Sequence, residues 1–366
     1  MLQQIEVALS AQSTGLTEGF YNTSKILTRQ LHVHYPENVC SIALRTEFDW
    51  DRDLEPVEVL DGGRTSVFSL EASKPFLYFK PVLRSGGRIT WAAGSNELLL
   101  MTNAGHHHVY PHFQAEEGGS ILPLIEIESS VLGRKHALRI YIPPGYSENT
   151  LRCYPVLYMQ DGKNLFFPEE AFAGNDWQVD ESLNLLDKMH SLDKAIVVGI
   201  YAQDRMQEYT QPGYEIYARA VVEEVIPLVN DRMRTLAQPE ETMVIGSSEG
   251  GDVSFYMAWE FPEVFGLAAC LSSTFSFKDD LIERVLSEPR RDVRLFLDSG
   301  WPEDNYEVTL SMALALSHCG YVYGHDLLHF AFPYARHSEQ AWAQRLHLPL
   351  QFFSEKVSMA DRGRFV

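Results

Sequence analysis

One ten-residue stretch, TMVIGSSEGG at positions 242–251, limits the fold of this chain more than any other. The apolar residues 243–245 are typical of a buried strand, and residues 253–259 are typical of a helix. A Gly-x-Ser-x-Gly turn between a strand and a helix can hold a serine hydroxyl above a sheet, because small residues let the chain turn sharply. Ser248 is therefore the predicted nucleophile. A Gly-rich turn with a helix-capping serine is the alternative interpretation of the same pattern.

After residue 120 the chain alternates between short apolar runs and amphipathic stretches. Residues 122–128 and 135–142 predict an antiparallel pair that opens a sheet. The later runs that predict buried strands are 154–159, 195–200, 243–245, 266–271, 293–297 and 327–332, and the main helical patterns are 182–189, 214–233 and 338–352. This alternation predicts an α/β domain over residues 120–358, with a mostly parallel, doubly wound sheet and helices on both faces.

Residues 1–115 have a different texture and predict a separate N-terminal domain. Short alternating runs separated by turn signals indicate a small all-β sandwich, preceded by a helical segment over residues 14–31. Three histidines at 106–108 suggest a metal site, but consecutive residues of an extended segment point to opposite faces. We therefore interpret this stretch as a linker that packs against both domains, and we predict no metal site.

Charge and cysteine content exclude several classes of partner. The chain has 366 residues and a net charge of −20, which disfavours nucleic acid and anionic membrane surfaces. Its four cysteines lack metal-ligand spacing, and we find no secretory signal pattern and no apolar run near ~18 residues. The expectation is a cytoplasmic protein without disulfides, cofactor, membrane or nucleic-acid partners.

A histidine follows the serine in the order that this fold requires. The serine hydroxyl is a poor nucleophile at neutral pH and needs a base, which a carboxylate must orient. In doubly wound hydrolases both groups follow the serine, on loops after later strands. The loop after residues 327–332 supplies His337, which we prefer by position to His325 and His329.

The acid comes from the loop after residues 293–297. Asp304 is the predicted partner of the histidine, and Asp298 and Glu303 remain alternatives. Asp304 could instead cap a helix that begins near Tyr306.

A serine that attacks a carbonyl group generates an oxyanion, which two backbone N–H groups must stabilise. The residue after the nucleophile, Glu249, supplies one, and Gly162 or Lys163 in the loop after residues 154–159 supplies the other. The Glu249 carboxylate would oppose a neighbouring negative charge. We therefore expect its side chain to turn away or to pair with Lys163 or Arg205.

Residues 120–355 resemble the "putative esterase" branch of the α/β-hydrolases, which includes enterochelin, feruloyl and acetyl-xylan esterases, S-formylglutathione hydrolase and mycolyltransferases. The matching stretches are RIYIPPGY (139–146), YPVLYMQDGKNLF (154–166), GSSEGG (246–251) and the segments 205–210, 300–304 and 337–342. The resemblance implies a nucleophile at Ser248, a base at His337 and an acid in the loop after Gly300. Glu249 departs from the pattern, because an apolar or small residue usually follows the serine.

The resemblance also bears on the other parts of the chain. Enterochelin esterases carry an N-terminal sandwich domain, as predicted here from the strand spacing. Arg205, Trp177 and Tyr209 are the candidate substrate-binding residues.

Three functional hypotheses follow. The first is a serine carboxylesterase that acts on a small-molecule ester through an acyl-enzyme, with a homodimer as a possible assembly. The second is an acyltransferase on the same scaffold. The third is a binding or regulatory protein in which Glu249 marks lost or altered catalysis.

Overall fold

The computed structural model describes residues 23, 25–36, 41–103 and 105–354. The chain forms two compact units. The first contains the described residues up to Glu117 together with Gly145–Arg152, and the second contains Gly118–Pro144 and the described residues from Cys153 onward. Within the described ranges, no helix has the length and apolarity needed to cross a membrane.

The first unit consists of two β-sheets. Its strands are β1 (Leu27–His34), β2 (Ser41–Thr46), β3 (Asp49–Leu54), β4 (Glu58–Leu60), β5 (Thr65–Ala72), β6 (Phe76–Ser85), β7 (Arg88–Trp91), β8 (Glu97–Leu100) and β9 (His107–Val109). One sheet has the order β4-β5-β1-β9, and the other has the order β3-β2-β6-β7 with β8 also on β6. Leu31 and Phe68 of the first sheet and Leu44 and Phe79 of the second belong to one buried cluster. The predicted all-β sandwich is thus confirmed.

The helix predicted over residues 14–31 is wrong in the part that the structure describes, and residues 14–22 and 24 lie outside the described residues. Leu27–His34 is a strand that pairs with β5 and β9. Leu27 and Leu31 are four residues apart, a spacing that fits both a helical period and a strand period. The burial of Arg29, Leu31 and Val33 follows the strand period.

The linker predicted at residues 106–108 is also wrong. His107–Val109 forms strand β9, which pairs in parallel with β1. Val109 points into the core of the first unit, and His108 is exposed. Buried and exposed positions therefore alternate as in other strands. Because histidines occupy these positions, the hydrophobic pattern of the sequence does not predict the strand.

The second unit contains a nine-stranded sheet. Its strands are β10 (Ser120–Ile121), β11 (Ile125–Ser129), β12 (Arg134–Ile142), β13 (Val156–Met159), β14 (Ile196–Ile200), β15 (Thr242–Ser247), β16 (Leu267–Leu271), β17 (Arg294–Trp301) and β18 (Leu327–Pro333). The helices are α1 (Val179–Lys188), α2 (Arg205–Glu208), α3 (Gly213–Ala220), α4 (Ile226–Arg232), α5 (Glu249–Glu260), α6 (Leu281–Ser287), α7 (Tyr306–His318), α8 (Glu339–Arg345) and α9 (His347–Phe353). A π-helical turn, Val221–Val225, joins α3 to α4. Short 3₁₀ turns occur at Asp61–Gly63, Gly162–Asn164, Phe172–Gly174 and Pro239–Glu241.

The strand order of this sheet is β10-β12-β14-β13-β15-β16-β17-β18, with β11 also on β12. Strands β14, β13, β15, β16, β17 and β18 are parallel, and β10, β11 and β12 are antiparallel to their neighbours. Every residue of β13, β14, β15 and β16 is buried. These strands read as continuous apolar runs because helices cover both faces of such a sheet. The predicted α/β-hydrolase fold is confirmed.

Candidate active site

The Gly-x-Ser-x-Gly stretch forms a strained turn between β15 and α5. Ser248 has φ 56° and ψ −134°, a conformation that non-glycine residues rarely adopt. Its backbone N–H donates to the carbonyl of Leu271 on β16, at 2.9 Å. A Cβ atom on Gly246 would lie 2.2 Å from the carbonyl oxygen of Gly250, and one on Gly251 would lie 2.0 Å from Ser273 Oγ. The two glycines therefore permit the turn that holds Ser248.

The Ser248 hydroxyl does not cap α5. No side-chain capping bond forms at this position, although Ser248 is the N-cap residue. Instead the hydroxyl donates to Glu249 Oε2, at 3.0 Å. Among the residues that the structure describes, Glu249 is the hydrogen-bond partner of the Ser248 hydroxyl. No hydrogen bond joins that hydroxyl to His337. The geometry thus departs from that of a simple capping serine.

The predicted acid and histidine lie next to each other at the carboxyl edge of the sheet. His337 Nδ1 is 2.8 Å from Asp304 Oδ1. Asp304 follows β17 and His337 follows β18, and these two strands pair in parallel from Leu295 to Trp301. Because parallel strands end at the same edge, the pairing brings the two loops together. The Asp304 side chain is 0% exposed and that of His337 is 35% exposed.

The environment of Asp304 favours its ionised form. Ser272 Oγ and the Gly300 N–H each donate to Oδ2 at 2.6 Å, and the Asn305 N–H donates to Oδ1 at 2.8 Å. Burial alone would raise the pKa of Asp304, but hydrogen bonds from His337, Ser272 and the two backbone groups lower the pKa to about 2. Asp304 is therefore an anion at neutral pH. An anion in this position can orient the His337 ring.

Ser272, Trp342 and Arg345 support Asp304, and sequence reasoning missed the roles of Ser272 and Arg345. Ser272 Oγ accepts from Trp342 Nε1 at 2.9 Å and from the Arg345 guanidinium at 2.6 Å, and it donates to Asp304. The same guanidinium lies 3.6 Å from Asp304 Oδ2 and 3.0 Å from Asp298 Oδ1. One signal was available, since Ser272 directly follows a buried strand that ends at this edge. Arg345 gave no such signal, because its burial in a helix is not visible in the sequence.

The alternative acids have other partners. Strand β17 extends four residues beyond the predicted end at residue 297, so Asp298 lies inside the strand and is fully buried. Burial raises the pKa of Asp298 to about 7, although the ion pair with Arg345 opposes the shift. Glu303 is exposed and lies 3.4 Å from Arg336. Neither carboxylate forms the contact with His337 that Asp304 makes.

The alternative histidines lie elsewhere. His329 is inside β18, where its ring stacks on Tyr306 with a centroid distance of 6.5 Å and burial lowers its pKa. His325 precedes β18, is largely exposed and lies 3.9 Å from Asp326.

The candidate oxyanion donors lie at the start of two helical turns. Glu249 is the first residue of α5, and the N–H groups of a first turn have no partner within the helix. Gly162 and Lys163 belong to the 3₁₀ turn Gly162–Asn164, which follows β13. Strand β13 pairs in parallel with β15, so this turn and the serine turn occupy the same edge of the sheet.

Arg205 connects Glu249 to the loop after β13. Its guanidinium lies 3.2 Å from Glu249 Oε2 and 3.1 Å from Asp161 Oδ1, and it packs over the Tyr209 ring at 5.6 Å. Burial raises the pKa of Asp161 to about 6, with Arg205 and then Lys163 opposing the shift. Arg205 is one of the two cations expected to pair with Glu249. Its positive charge partly offsets the carboxylate beside Ser248.

Two of the candidate substrate-binding residues are buried. Trp177 is 1% exposed and packs against Trp342 with ring centroids 5.7 Å apart. Tyr209 is also 1% exposed, and its hydroxyl accepts from the Asp161 N–H at 3.2 Å. Trp177 therefore packs behind Trp342, and Tyr209 holds the backbone of Asp161. The burial of both side chains argues against direct contact with a substrate. Arg205 has a side chain that is 43% exposed and remains available to a ligand.

Two pockets adjoin these groups. One has a volume of about 380 Å³ and is lined by Thr274, Pro302, Glu303, Asp304, Asn305 and His337. The other has a volume of about 480 Å³ and is lined by Asp161, Lys163, residues 202–206 and Glu249. The first pocket reaches the acid and histidine, and the second reaches the residue after the serine and the loop with the candidate oxyanion donors.

Parts of this chain are similar in sequence to known proteins. A family model described as "Putative esterase" matches residues 129–351. The Bacillus subtilis (strain 168) protein YbbA, described as uncharacterized, is 24% identical over 155 residues, which cover 38% of this chain and 57% of YbbA. The chain therefore spans little more than half the length of this relative.

Solved structures share the fold. A ferulic acid esterase has a TM-score of 0.55 at 18% identity and covers 64% of this chain and 98% of its own. The enterobactin esterase from Shigella flexneri has a TM-score of 0.54 at 15% identity and covers 90% of this chain and 94% of its own. The second match thus includes the N-terminal unit as well.

We predict that Ser272→Ala destabilises the protein. The substitution removes one hydrogen bond each from Asp304 and Arg345 and leaves the buried Trp342 indole N–H without its partner, and a buried polar group left unsatisfied costs about 1–3 kcal/mol. Urea unfolding followed by circular dichroism measures the change in the free energy of unfolding. Ser273→Ala is the matched control, because Ser273 is equally buried and its hydroxyl makes no hydrogen bond to any described residue. Equal unfolding curves for the two variants would contradict this account.

Proposed function

The chain belongs to the esterase family, and we propose that it is a serine carboxylesterase in which Ser248 is the nucleophile, His337 the base and Asp304 the orienting acid. The observation that carries this proposal is the 2.8 Å hydrogen bond between His337 and Asp304, at the same edge of the sheet as the strained turn that holds Ser248. The family match supports ester hydrolysis as the reaction that these residues would catalyse.

The acid and the histidine have complementary protonation states in this proposal. Asp304 is ionised at neutral pH, so it accepts the hydrogen bond and His337 Nδ1 carries the proton. Nε2 of the neutral imidazole then holds a lone pair, which can take the proton of the Ser248 hydroxyl. Asp304 also stabilises the imidazolium that forms when the proton arrives.

The reaction proceeds in two steps. Ser248 Oγ attacks the ester carbonyl while His337 takes its proton, and the oxyanion accepts hydrogen bonds from the N–H of Glu249 and from Gly162 or Lys163. The carbonyl is restored as the C–O bond to the alcohol breaks, and His337 gives the proton to the leaving alcohol. Water then attacks the acyl-enzyme by the same route and releases the acid and the free Ser248 hydroxyl.

The Ser248 hydroxyl must leave Glu249 before it can attack. In the resting arrangement it donates to the Glu249 carboxylate, which Arg205 holds at 3.2 Å. Rotation of the serine side chain toward His337 breaks one hydrogen bond and leaves Glu249 paired with Arg205. This contact is the specific observation that favours a slow or impaired enzyme as the second candidate. An acyltransferase would use the same acyl-enzyme but pass the acyl group to an alcohol.

We expect Ser248→Ala to lower kcat for short-chain p-nitrophenyl esters by at least about 10⁴-fold, because the nucleophile is removed. Ser254→Ala, in the helix α5 that follows Ser248, is the control, since its hydroxyl donates to the Gly250 carbonyl at 2.7 Å. An active Ser248→Ala protein would overturn the mechanism. Absent turnover in the folded wild type, together with no labelling of Ser248 by a phosphonate, would favour a binding role. Products formed with added alcohols would identify a transferase.

We expect Asp304→Asn to lower kcat by about 10³–10⁴-fold, because an amide can donate to Nδ1 and stabilise the wrong tautomer of His337. Asp298→Asn is the matched comparison, as this carboxylate is also buried but pairs with Arg345. Asp298→Asn should lower the free energy of unfolding but change kcat less than Asp304→Asn does. Steady-state kinetics at equal concentrations of folded protein compare the kcat values of the two variants. A larger loss of kcat in Asp298→Asn than in Asp304→Asn would identify Asp298 as the orienting acid.

Glu249→Met should raise kcat by roughly three- to tenfold, because the carboxylate that binds the Ser248 hydroxyl and repels the oxyanion is removed. Glu249→Gln keeps the size of the side chain and removes only its charge, so it separates the electrostatic effect from the steric one. A fall in kcat for both variants, with unchanged thermal unfolding, would instead mean that the Glu249 carboxylate assists the reaction.

A further inference from the structure

The turn that carries one of the two candidate oxyanion donors begins at a residue in a strained conformation. Asp161, directly before the 3₁₀ turn Gly162–Asn164, has φ 54° and ψ 49°, which lies in the left-handed region. Aspartate reaches this region more readily than most other non-glycine residues, but a backbone kept there needs support from its surroundings. The position of the Gly162 and Lys163 N–H groups therefore depends on the contacts that hold Asp161.

Asp161 is held both by its backbone and by its side chain. Its N–H donates to the Tyr209 hydroxyl at 3.2 Å, and its carbonyl accepts from the Asn164 N–H at 2.8 Å. Its carboxylate, which is 5% exposed, lies 3.1 Å from the Arg205 guanidinium. Tyr209 and Arg205 are thus the two side chains that fix the residue at the start of the turn.

Tyr209 is itself fixed in the core of the second unit. Its ring packs edge-on against Tyr217 with ring centroids 5.3 Å apart, and the Arg205 guanidinium lies over it at 5.6 Å. Burial raises the pKa of Tyr209 well above its ordinary value, so the hydroxyl keeps its proton at neutral pH. The Tyr209 oxygen therefore accepts the Asp161 N–H without placing a second anion beside the Asp161 carboxylate.

Arg205 connects this turn to the turn that holds Ser248. Its Nε contacts Asp161 Oδ1, and its Nη2 donates to the Ser247 carbonyl at 3.5 Å and lies 3.2 Å from Glu249 Oε2. A planar guanidinium presents donors on several sides, so one side chain can bridge two segments of backbone. The two turns that would supply the oxyanion donors are thus joined through Arg205.

We propose that Tyr209 and Arg205 are positioning residues that fix the oxyanion hole through Asp161, an inference that rests on the proposed esterase function. Tyr209 sets the backbone of Asp161, and Arg205 sets the distance between Asp161 and the serine turn. In this role neither side chain contacts the reacting atoms. A displaced N–H donor stabilises the oxyanion less but changes substrate binding little, so the loss falls on kcat rather than on KM.

Tyr209→Phe removes the hydroxyl that accepts the Asp161 N–H and keeps the buried ring. We expect kcat for p-nitrophenyl acetate to fall by at least about tenfold at equal concentrations of folded protein, with KM changed by less than about twofold. Tyr158→Phe is the matched control and should leave kcat unchanged, because the buried Tyr158 hydroxyl makes no hydrogen bond to any described residue. An unchanged kcat in Tyr209→Phe would overturn the proposal.

Arg205→Met is measured in two backgrounds, because Arg205 also offsets the charge of Glu249. If Arg205 positions Asp161, kcat should fall by about tenfold both in the wild type and in Glu249→Gln. A loss that disappears in Glu249→Gln would show that Arg205 only neutralises the Glu249 carboxylate. A rise in KM with an unchanged kcat would make Arg205 a substrate-binding residue. Either of these two results would contradict the positioning role of Arg205.

Amide hydrogen exchange of the resting protein tests the positioning role without relying on catalysis. The Asn164 N–H, which donates to the Asp161 carbonyl, should exchange at least about fivefold faster in Tyr209→Phe and Arg205→Met than in the wild type, and at the wild-type rate in Tyr158→Phe. Unchanged exchange in the first two variants would overturn the proposal whatever their activity. Faster exchange in a protein without Ser248-dependent turnover would instead refute the esterase function and leave Tyr209 and Arg205 as residues that position the turn.

Discussion

A buried carboxylate that must keep its charge is the constraint on which the candidate active site depends. Burial disfavours an ionised Asp304, and several donors from different elements offset this effect. Ser272 comes from the end of β16, Gly300 from β17, and His337 from the loop after β18. Because these strands lie side by side in parallel, their ends reach Asp304 together. The sheet order is thus a condition for the charge of this residue.

Helix α8 also supports Asp304. Trp342 and Arg345 on α8 both donate to Ser272, and Arg345 is 3% exposed. A buried guanidinium needs partners, and Asp298 on β17 supplies an ion pair at 3.0 Å. Arg345 therefore links α8 to the strand that precedes the acid loop. The same group of contacts explains why Asp298, although nearer to the strand core, does not contact His337.

Glu249 introduces a second electrostatic problem at the other side of the serine. A carboxylate in the first turn of α5 interacts favourably with the positive end of the helix dipole. It also accepts the hydrogen bond of the Ser248 hydroxyl, and in the proposed mechanism it lies near the oxyanion that would form. Arg205, with Asp161 and the Tyr209 ring behind it, offsets part of that charge. The candidate site thus combines a buried acid–histidine pair with an unusual local charge beside Ser248.

The sequence by itself determined the parts of this protein that depend on local chemistry. The glycines around Ser248, the apolar runs of the buried strands and the loop positions of Asp304 and His337 were all predicted, since turns and strand patterns involve residues close in the chain. The tertiary structure decided the rest. Ser272 and Arg345 meet across 73 residues and His34 and His108 across 74, and the 27–31 segment became a strand through its pairing with β5 and β9. Such contacts depend on which strands lie side by side, and hydrophobic periodicity carries no record of that order.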